Sequence, residues 1–169
     1  ARGWGMNNVI LRRFVPEDMQ WLMARHQDLY AREAGFDDSF GRLVADVLHS
    51  FCAAHDPACE HGWLAEPEGR RLGSVFCMRR DETTAQLRMF LLEPEARGKG
   101  LGKRLLRECI GFARAAGYRG MMLKTYESHR SAGALYRAFG WTLCASRPVR
   151  SHGQDLVEQT WKLTFVEPE

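Results

Sequence analysis

The sequence predicts a mixed α/β sheet of about seven strands flanked by about four helices, and three observations carry that prediction. Seven short apolar or alternating runs are bounded by turn residues. Four stretches place apolar residues at helical spacing. The two kinds interleave in the order β-α-α-β-β-β-α-β-α-β-β.

Each element has a local reason. Residues 9–14 (VILRRF) are a β-rich run closed by Val15-Pro16. Pro16-Glu17-Asp18 puts proline and acids in a first helical turn, and Met19, Leu22, Met23, His26, Leu29 and Tyr30 follow at helical spacing toward an end near Gly35. A second helix over 39–54 gathers Phe40, Leu43, Val44, Val47, Leu48 and Phe51 on one face, and Asp56-Pro57 stops it. GWLAE (62–66), a turn at Glu68-Gly69-Arg70, and LGSVFCM (72–78) read as a hairpin, with TTAQLRMFLL (83–92) as the next strand. Residues 99–116 are helical up to a glycine cap at Gly117. MMLKTY (121–126) is a strand, 131–139 a short helix ending at Gly140, and 141–146 and 156–165 are closing strands.

Composition narrows the class. The 169 residues, 45% hydrophobic and 27% charged, suit one domain with a single core, assigned to 9–166, with residues 1–8 as a tag or linker. The opening ARGWG is either an expression scar or the cut edge of a longer chain. A net charge of +3 does not by itself point to nucleic acid. Five cysteines without a C-x-x-C read as reduced thiols, and no run has the length of a bilayer span, so a soluble, cytoplasmic protein is expected, with no membrane or direct nucleic-acid partner. His55, Cys59 and His61 give only three ligands at unusual spacing, so no metal is expected; Trp63, Phe76 and Phe90 read as core.

The chemistry-bearing stretch is EPEARGKGLGKRLL (93–106). A P-loop fails, because Gly98 and Gly102 are one residue too close and Arg104 stands where a hydroxyl is needed. A Rossmann fingerprint fails on its G-x-G-x-G spacing and on the residues between strand and loop. The pattern R-x-x-G-x-G, met by Arg97, Gly100 and Gly102 ahead of an amphipathic helix, leaves backbone N–H groups uncovered at the positive end of the helix dipole. Arg97, Lys99, Lys103, Arg104 and Arg107 add basic charge with no acid among them. A pyrophosphate is the natural guest; the alternative is a glycine-rich turn beside a solvated basic helix face.

A second motif, SHRSAGALYRAFGW (128–141), is a helix closing with Tyr-x-x-x-Gly-aromatic just after the next strand. With both motifs at this separation, the chain resembles the GCN5-related N-acetyltransferase (GNAT) superfamily over roughly residues 9–165. The resemblance implies a mainly antiparallel sheet splayed in the middle, acetyl-CoA as co-substrate, and an amine acceptor: small molecule, peptide or protein lysine. It implies that the main chain of Phe90, Leu91 and Leu92 holds the pantetheine and acyl carbonyl, and that Arg97, Gly98, Lys99, Gly100, Leu101, Gly102 and Lys103 hold the pyrophosphate. Ala132 belongs to the later motif, and His129 stands where the family often has asparagine. Segments 25–37 and 152–163 further resemble GNAT domains fused behind MarR-type winged-helix regulators, which makes an upstream MarR-type domain a candidate partner and leaves a homodimer open.

Transfer to an amine needs a neutral nucleophile and a proton for the departing thiolate. Tyr136 is the candidate acid, its phenol being matched to a thiol leaving group. The strand ahead of the loop has no carboxylate, so the candidate base is Glu33, near Asp37 and Asp38 between the early helices that border the acceptor site in this family; Asp155, in a late loop, is second. Those acids favour a cationic acceptor. A catalytically silent acyl-CoA sensor is the alternative from another class, and an ATP-dependent phosphotransferase a third.

Overall fold

The computed structural model of the protein describes residues 4–166. Its elements run in the order β1 (Val9–Arg13), α1 (Met19–Ala34), α2 (Ser39–Ala54), β2 (His61–Pro67), β3 (Gly73–Arg79), β4 (Thr84–Leu92), α3 (Leu101–Ala115), β5 (Gly120–Tyr126), α4 (Arg130–Ala138), β6 (Thr142–Ser151) and β7 (Gln154–Thr164), with 3-10 turns at Met6–Asn8, Pro16–Asp18 and Pro94–Ala96. The strands make one seven-stranded sheet ordered β1-β2-β3-β4-β5-β7-β6. Pairing is antiparallel for β1–β2, β2–β3, β3–β4 and β6–β7, and parallel for β4–β5. The element order is the predicted one.

Two compact units make up the chain. The first comprises residues 4–14, Asp56–Met122 and 164–166. Its strands β2 and β3 are buried on both faces, which explains their near-continuous apolar runs. On α3, Leu101, Leu105, Leu106, Cys109 and Ala113 form one buried stripe, and the helix packs on β3 and β4. Each fully buried leucine there contributes roughly 1.5–3 kcal/mol.

The second unit comprises Val15–His55 and Leu123–Leu163. The Val15 N–H donates to Asp18 Oδ2 at 2.9 Å, which fixes the chain's entry to α1 around Pro16. Gly35 ends α1 in the left-handed region at φ 71°, its N–H turned back on the Ala31 carbonyl. α1 and α2 pack together, burying Leu22, His26 and Leu29 on one and Val44, Leu48 and Phe51 on the other.

The closing hairpin departs from expectation. The sequence predicts strands over 141–146 and 156–165 with a loop between them, whereas β6 and β7 continue to Ser151 and Gln154 around a two-residue turn. His152 and Gly153 both have positive φ, 53° and 76°, the pattern of a type I′ turn. Pro148 lies inside β6, opposite Val157, and is tolerated because β6 ends the sheet. Asp155 is therefore a strand residue rather than a loop residue; it is exposed and paired with Arg150 at 3.2 Å. Among the described residues no helix is long and apolar enough to cross a membrane, and no cluster of three His, Cys, Asp or Glu is arranged to hold a metal ion.

Candidate active site

In the first unit, β4 leads through the Pro94–Ala96 turn into the glycine loop. Gly98 (φ 75°) and Gly100 (φ 86°) take backbone angles that side chains resist, and Gly100 is the residue from which α3 starts. Among the described residues no side-chain cap closes this helix, and its first intrahelical bond here is Arg104 N–H to the Gly100 carbonyl, at 3.1 Å. The N–H groups of Leu101, Gly102 and Lys103 thus have no intrahelical carbonyl to meet. A Cβ at Gly98 would touch nothing within 4 Å, and one at Gly100 would meet only Met6 Cε, at 3.9 Å. Open space beside unpaired main-chain donors fits a phosphate.

The cations around it divide. Arg97, Lys99 and Lys103 are exposed. Arg97 also donates to the Leu92 carbonyl at 3.3 Å, and the Lys99 ammonium lies 4.9 Å from the Trp4 ring centroid. Arg104 is diverted: its Nη1 donates to the carbonyls of Val9 (2.7 Å) and Met6 (3.4 Å), so it ties the N-terminal segment to α3.

Upstream, β4 is irregular. Its ladder to β5 covers Thr84–Gln86 against Gly120–Met122. On the β3 side, Ser74 faces Leu91 and Phe76 faces Arg88, so Met89 and Phe90 together oppose Val75: a bulge. Met89 stands at φ 50°, and the buried Ser74 hydroxyl donates to its carbonyl at 2.7 Å. Gly73 makes the close approach of β3 possible, since a Cβ there would lie 2.8 Å from the Leu91 carbonyl. Leu91 is buried, and Phe90 and Leu92 are half-buried. Arg88 is half-buried, and burial lowers its pKa.

In the second unit, Tyr136 of α4 is 4% exposed, its ring 5.8 Å from that of Trp141 and 6.0 Å from that of Trp161. Its carbonyl accepts from the Trp141 N–H at 3.0 Å as the chain turns at Gly140. His129 occupies the N-cap position of α4. Its Nδ1 lies 3.5 Å from Thr125 Oγ1, and its ring 5.1 Å from that of Tyr30. Ala132 is half-buried in the first turn of α4.

The α1–α2 connection is joined to the β6–β7 turn. Asp37 N–H donates to the His152 carbonyl at 3.0 Å, and Gln154 Nε2 to the Gly35 carbonyl at 2.9 Å. The Ser39 hydroxyl donates its one proton to Asp37 Oδ1, so its contact with His152 Nδ1, at 2.9 Å, requires the nitrogen to be the donor. His152 therefore presents Nε2 as a lone pair. Its ring packs 5.0 Å from Phe36 and 5.1 Å from Phe40. Burial lowers its pKa, with Asp37 opposing. The Asp37 carboxyl is held low by the Ser39 hydroxyl and N–H, with weaker help from His152 and Arg42.

Of the residues singled out in the sequence, 90–92 and 97–103 belong to one continuous stretch of the first unit, and His129, Ala132 and Tyr136 fall at helical spacing from the N-cap to the last turn of α4 in the second. Glu33 lies exposed in the last turn of α1. Asp38 pairs with Arg42 at 3.0 Å. Arg88, Ser74, Ser39 and His152 were not singled out. The one signal for Arg88 was a charge interrupting the apolar strand LRMFLL.

A family model described as the Acetyltransferase (GNAT) family matches residues 19–141. N-acetyltransferase family 8 member 2 of Rattus norvegicus is 33% identical over 103 residues, 58% of this chain and 44% of that protein. The chain spans about half the length or less of the curated relatives described by these matches. Among solved structures, an acetyltransferase from Streptococcus agalactiae superposes with a TM-score of 0.79 at 18% identity, covering 95% of this chain and all of that one. A phosphinothricin acetyltransferase from Sinorhizobium meliloti, solved with acetyl-CoA, gives 0.74 at 23% identity, covering 93% of this chain and 88% of that one. These two likenesses are likenesses of fold.

Proposed function

This chain belongs to the GNAT family of acetyltransferases, and on that premise we propose that it transfers an acetyl group from acetyl-CoA to a primary amine by direct attack with both substrates bound. The observation that supports this most is the uncapped start of α3 facing the open space at Gly98 and Gly100. The main-chain donors of residues 98–103 would hold the pyrophosphate, with Arg97, Lys99 and Lys103 adding charge. The main chain of Phe90–Leu92, beyond the end of the β4–β5 ladder, would hold the pantetheine and polarise the acyl carbonyl. Acetyl-CoA, when bound, supplies an activated thioester.

The chain's own residues handle the protons. An alkyl amine with a pKa near ~10 is mostly protonated at neutral pH, so a base is needed. His152 Nε2 takes that role because its tautomer is fixed by Ser39 and Asp37; Glu33, at the exposed end of α1, is the second candidate. As the C–N bond forms and the C–S bond breaks, the Tyr136 hydroxyl gives its proton to the sulfur. The resemblance to domains behind MarR-type regulators rests on residues 25–37 and 152–163, while the family and structural matches are to acetyltransferase domains.

Thiol release from acetyl-CoA, measured across a panel of amines and peptides, tests the reading. Amine-dependent release is expected, together with a clear rise in melting temperature on adding acetyl-CoA, about 2.7 kcal/mol of stabilisation at a hundredfold excess over Kd. Stabilisation by ATP with magnesium but not by acetyl-CoA would refute it. Tight acetyl-CoA binding with no amine turned over would favour the silent acyl-CoA sensor.

A further inference from the structure

Among the described residues Arg88 is a cation without a partner. It makes no hydrogen bond, ion pair or ring contact among the described residues, whereas arginines such as Arg12, Arg25, Arg42 and Arg150 each face a carboxylate within 3.2 Å. Burial lowers its pKa, and no acid is at hand to offset the effect. A guanidinium does not shed its proton at physiological pH, so it cannot relieve its desolvation by becoming neutral. A half-buried charge of this kind is poorly placed for stability and well placed to receive an anion.

Its position says which anion. Arg88 lies opposite the fully buried Phe76 of β3 and immediately before Met89, the left-handed residue of the bulge. Bulges re-aim the side chains beside them, and this one is fixed by the Ser74 hydroxyl. Arg88 also lies past Gln86, where the β4–β5 ladder stops. It precedes Phe90 by two residues, at most about 7 Å along the strand given the bend at Met89, a span that suits an acyl carbon, an attacking nitrogen and a carboxylate in sequence. The cofactor's phosphates belong to the loop that begins nine residues later, at Arg97. Asp37 and Asp38, the acids that favoured a cationic acceptor, are both engaged, with Ser39 and with Arg42.

We infer that Arg88 is the subsite for a carboxylate on the acceptor, and that the amines acetylated here are amino acids. The planar guanidinium fork matches a carboxylate through two parallel hydrogen bonds, and so holds the neighbouring amine in one orientation. This inference rests on the N-acetyltransferase reading for its reaction, but not for its binding step.

The experiment compares the twenty common α-amino acids with their carboxamides, by thiol release from acetyl-CoA and by calorimetric binding to the CoA-loaded protein. For the best amino acid, kcat/KM should exceed that of its carboxamide by about 100-fold, because a site built for a polar group rejects the analogue lacking it. Arg88→Gln should lower kcat/KM for the acid far more than for the amide and weaken binding of the acid about 10-fold or more, with the Kd for CoA unchanged; Arg88→Lys should recover part of the loss. Equal use of acids and amides by the wild type overturns the inference. So does an equal fall for both in Arg88→Gln, a weakened CoA affinity, or the failure of every amino acid to bind or react. If amino acids bind through Arg88 but no amine is acetylated, the subsite stands and the transferase reading fails. If amines without a carboxylate are the better substrates, the transferase reading stands and the subsite fails.

Discussion

Ser74 reaches from β3 to donate its hydroxyl to the carbonyl of Met89, 2.7 Å away on β4. Both ends of this bond are special: the serine is fully buried, and Met89 holds φ 50°, which an unbranched side chain adopts only at a cost. The bond therefore sets where β4 bends between Arg88 and the Phe90–Leu92 segment.

Replacing Ser74 with alanine removes the hydroxyl and leaves the Met89 carbonyl without it. The expected loss is about 1–3 kcal/mol in urea unfolding. A fall in kcat/KM larger than the fall in acetyl-CoA affinity should accompany it, since the acyl end is disturbed more than the phosphate end. A Ser74→Ala protein with unchanged stability and kinetics would remove the bulge from the list of features that shape the site.

Gly100→Val should fold yet lose its thermal response to acetyl-CoA. The structure places the difficulty in the backbone: a Cβ has room, with Met6 Cε the nearest atom at 3.9 Å, but φ 86° costs a branched residue roughly 1–2 kcal/mol or more. The loop is expected to relax to negative φ and turn its N–H groups away. Retained acetyl-CoA affinity would place the pyrophosphate elsewhere.

Tyr136→Phe keeps a ring packed near Trp141 and Trp161 and removes one oxygen. Melting temperature and acetyl-CoA affinity should change little, while turnover at saturating substrates falls by about 10²- to 10⁴-fold. The loss should be smaller with an acyl donor whose thiol leaves easily. Near-full turnover, with chemistry shown to limit the rate, would make Tyr136 a packing residue only.

His152→Gln tests the base. The wild-type kcat/KM should fall on the acid side with a pKa below the ordinary 6.5, because burial disfavours the imidazolium and Asp37 only partly restores it. Asp37, ionised throughout that range, and Arg42 are the charges that act on this cluster. The variant should be slower and lose that limb, and added imidazole should rescue part of the rate. A limb that persists in His152→Gln but vanishes in Glu33→Gln would assign the role to Glu33.

His26 makes stability depend on pH. Its Nδ1 bonds the Leu22 carbonyl at 2.7 Å, while Nε2 is buried with no partner among the described residues. Burial lowers its pKa from 6.5 to about 4. The unfolded chain thus binds a proton that the folded chain refuses, so stability holds above pH 6.5 and falls between pH 6.5 and about 4, by about 3 kcal/mol in all. His26→Leu should flatten that part of a plot of unfolding free energy against pH. An unchanged slope would locate the acid sensitivity in other groups.

The fold was readable where its causes are local. Gly35, Gly117 and Gly140 stop helices by their backbone freedom, and the stripe of Leu101, Leu105, Leu106 and Cys109 follows from helical periodicity alone. The full length of the closing hairpin was not: Pro148 and the charges around it carry no local strand pattern, and what permits a strand there is the position of β6 at the end of the sheet, which is invisible in sequence. The glycine loop was equally local. In the sequence Arg104 is one more basic charge beside the loop; only the fold brings the Val9 carbonyl within 2.7 Å of it and so gives it a different partner. Ser39 and His152 stand 113 residues apart, and the proton inventory that fixes the histidine's tautomer exists only once they meet. Arg88 is the converse case: that it lacks a partner among the described residues is a property of everything around it, and no window of sequence carries that.

The two hydrogen bonds from Arg104 to the carbonyls of Met6 and Val9 have a mechanical consequence. They couple the entry of β1 directly to the first turn of α3, the turn that presents the loop's N–H groups. A load applied through the N-terminal segment would reach that helix before it strained the rest of the sheet, so this segment can serve as a handle. Held in an optical trap from this end, the chain should yield at higher force when acetyl-CoA braces the loop, and Arg104→Gln should disconnect the handle from the ligand.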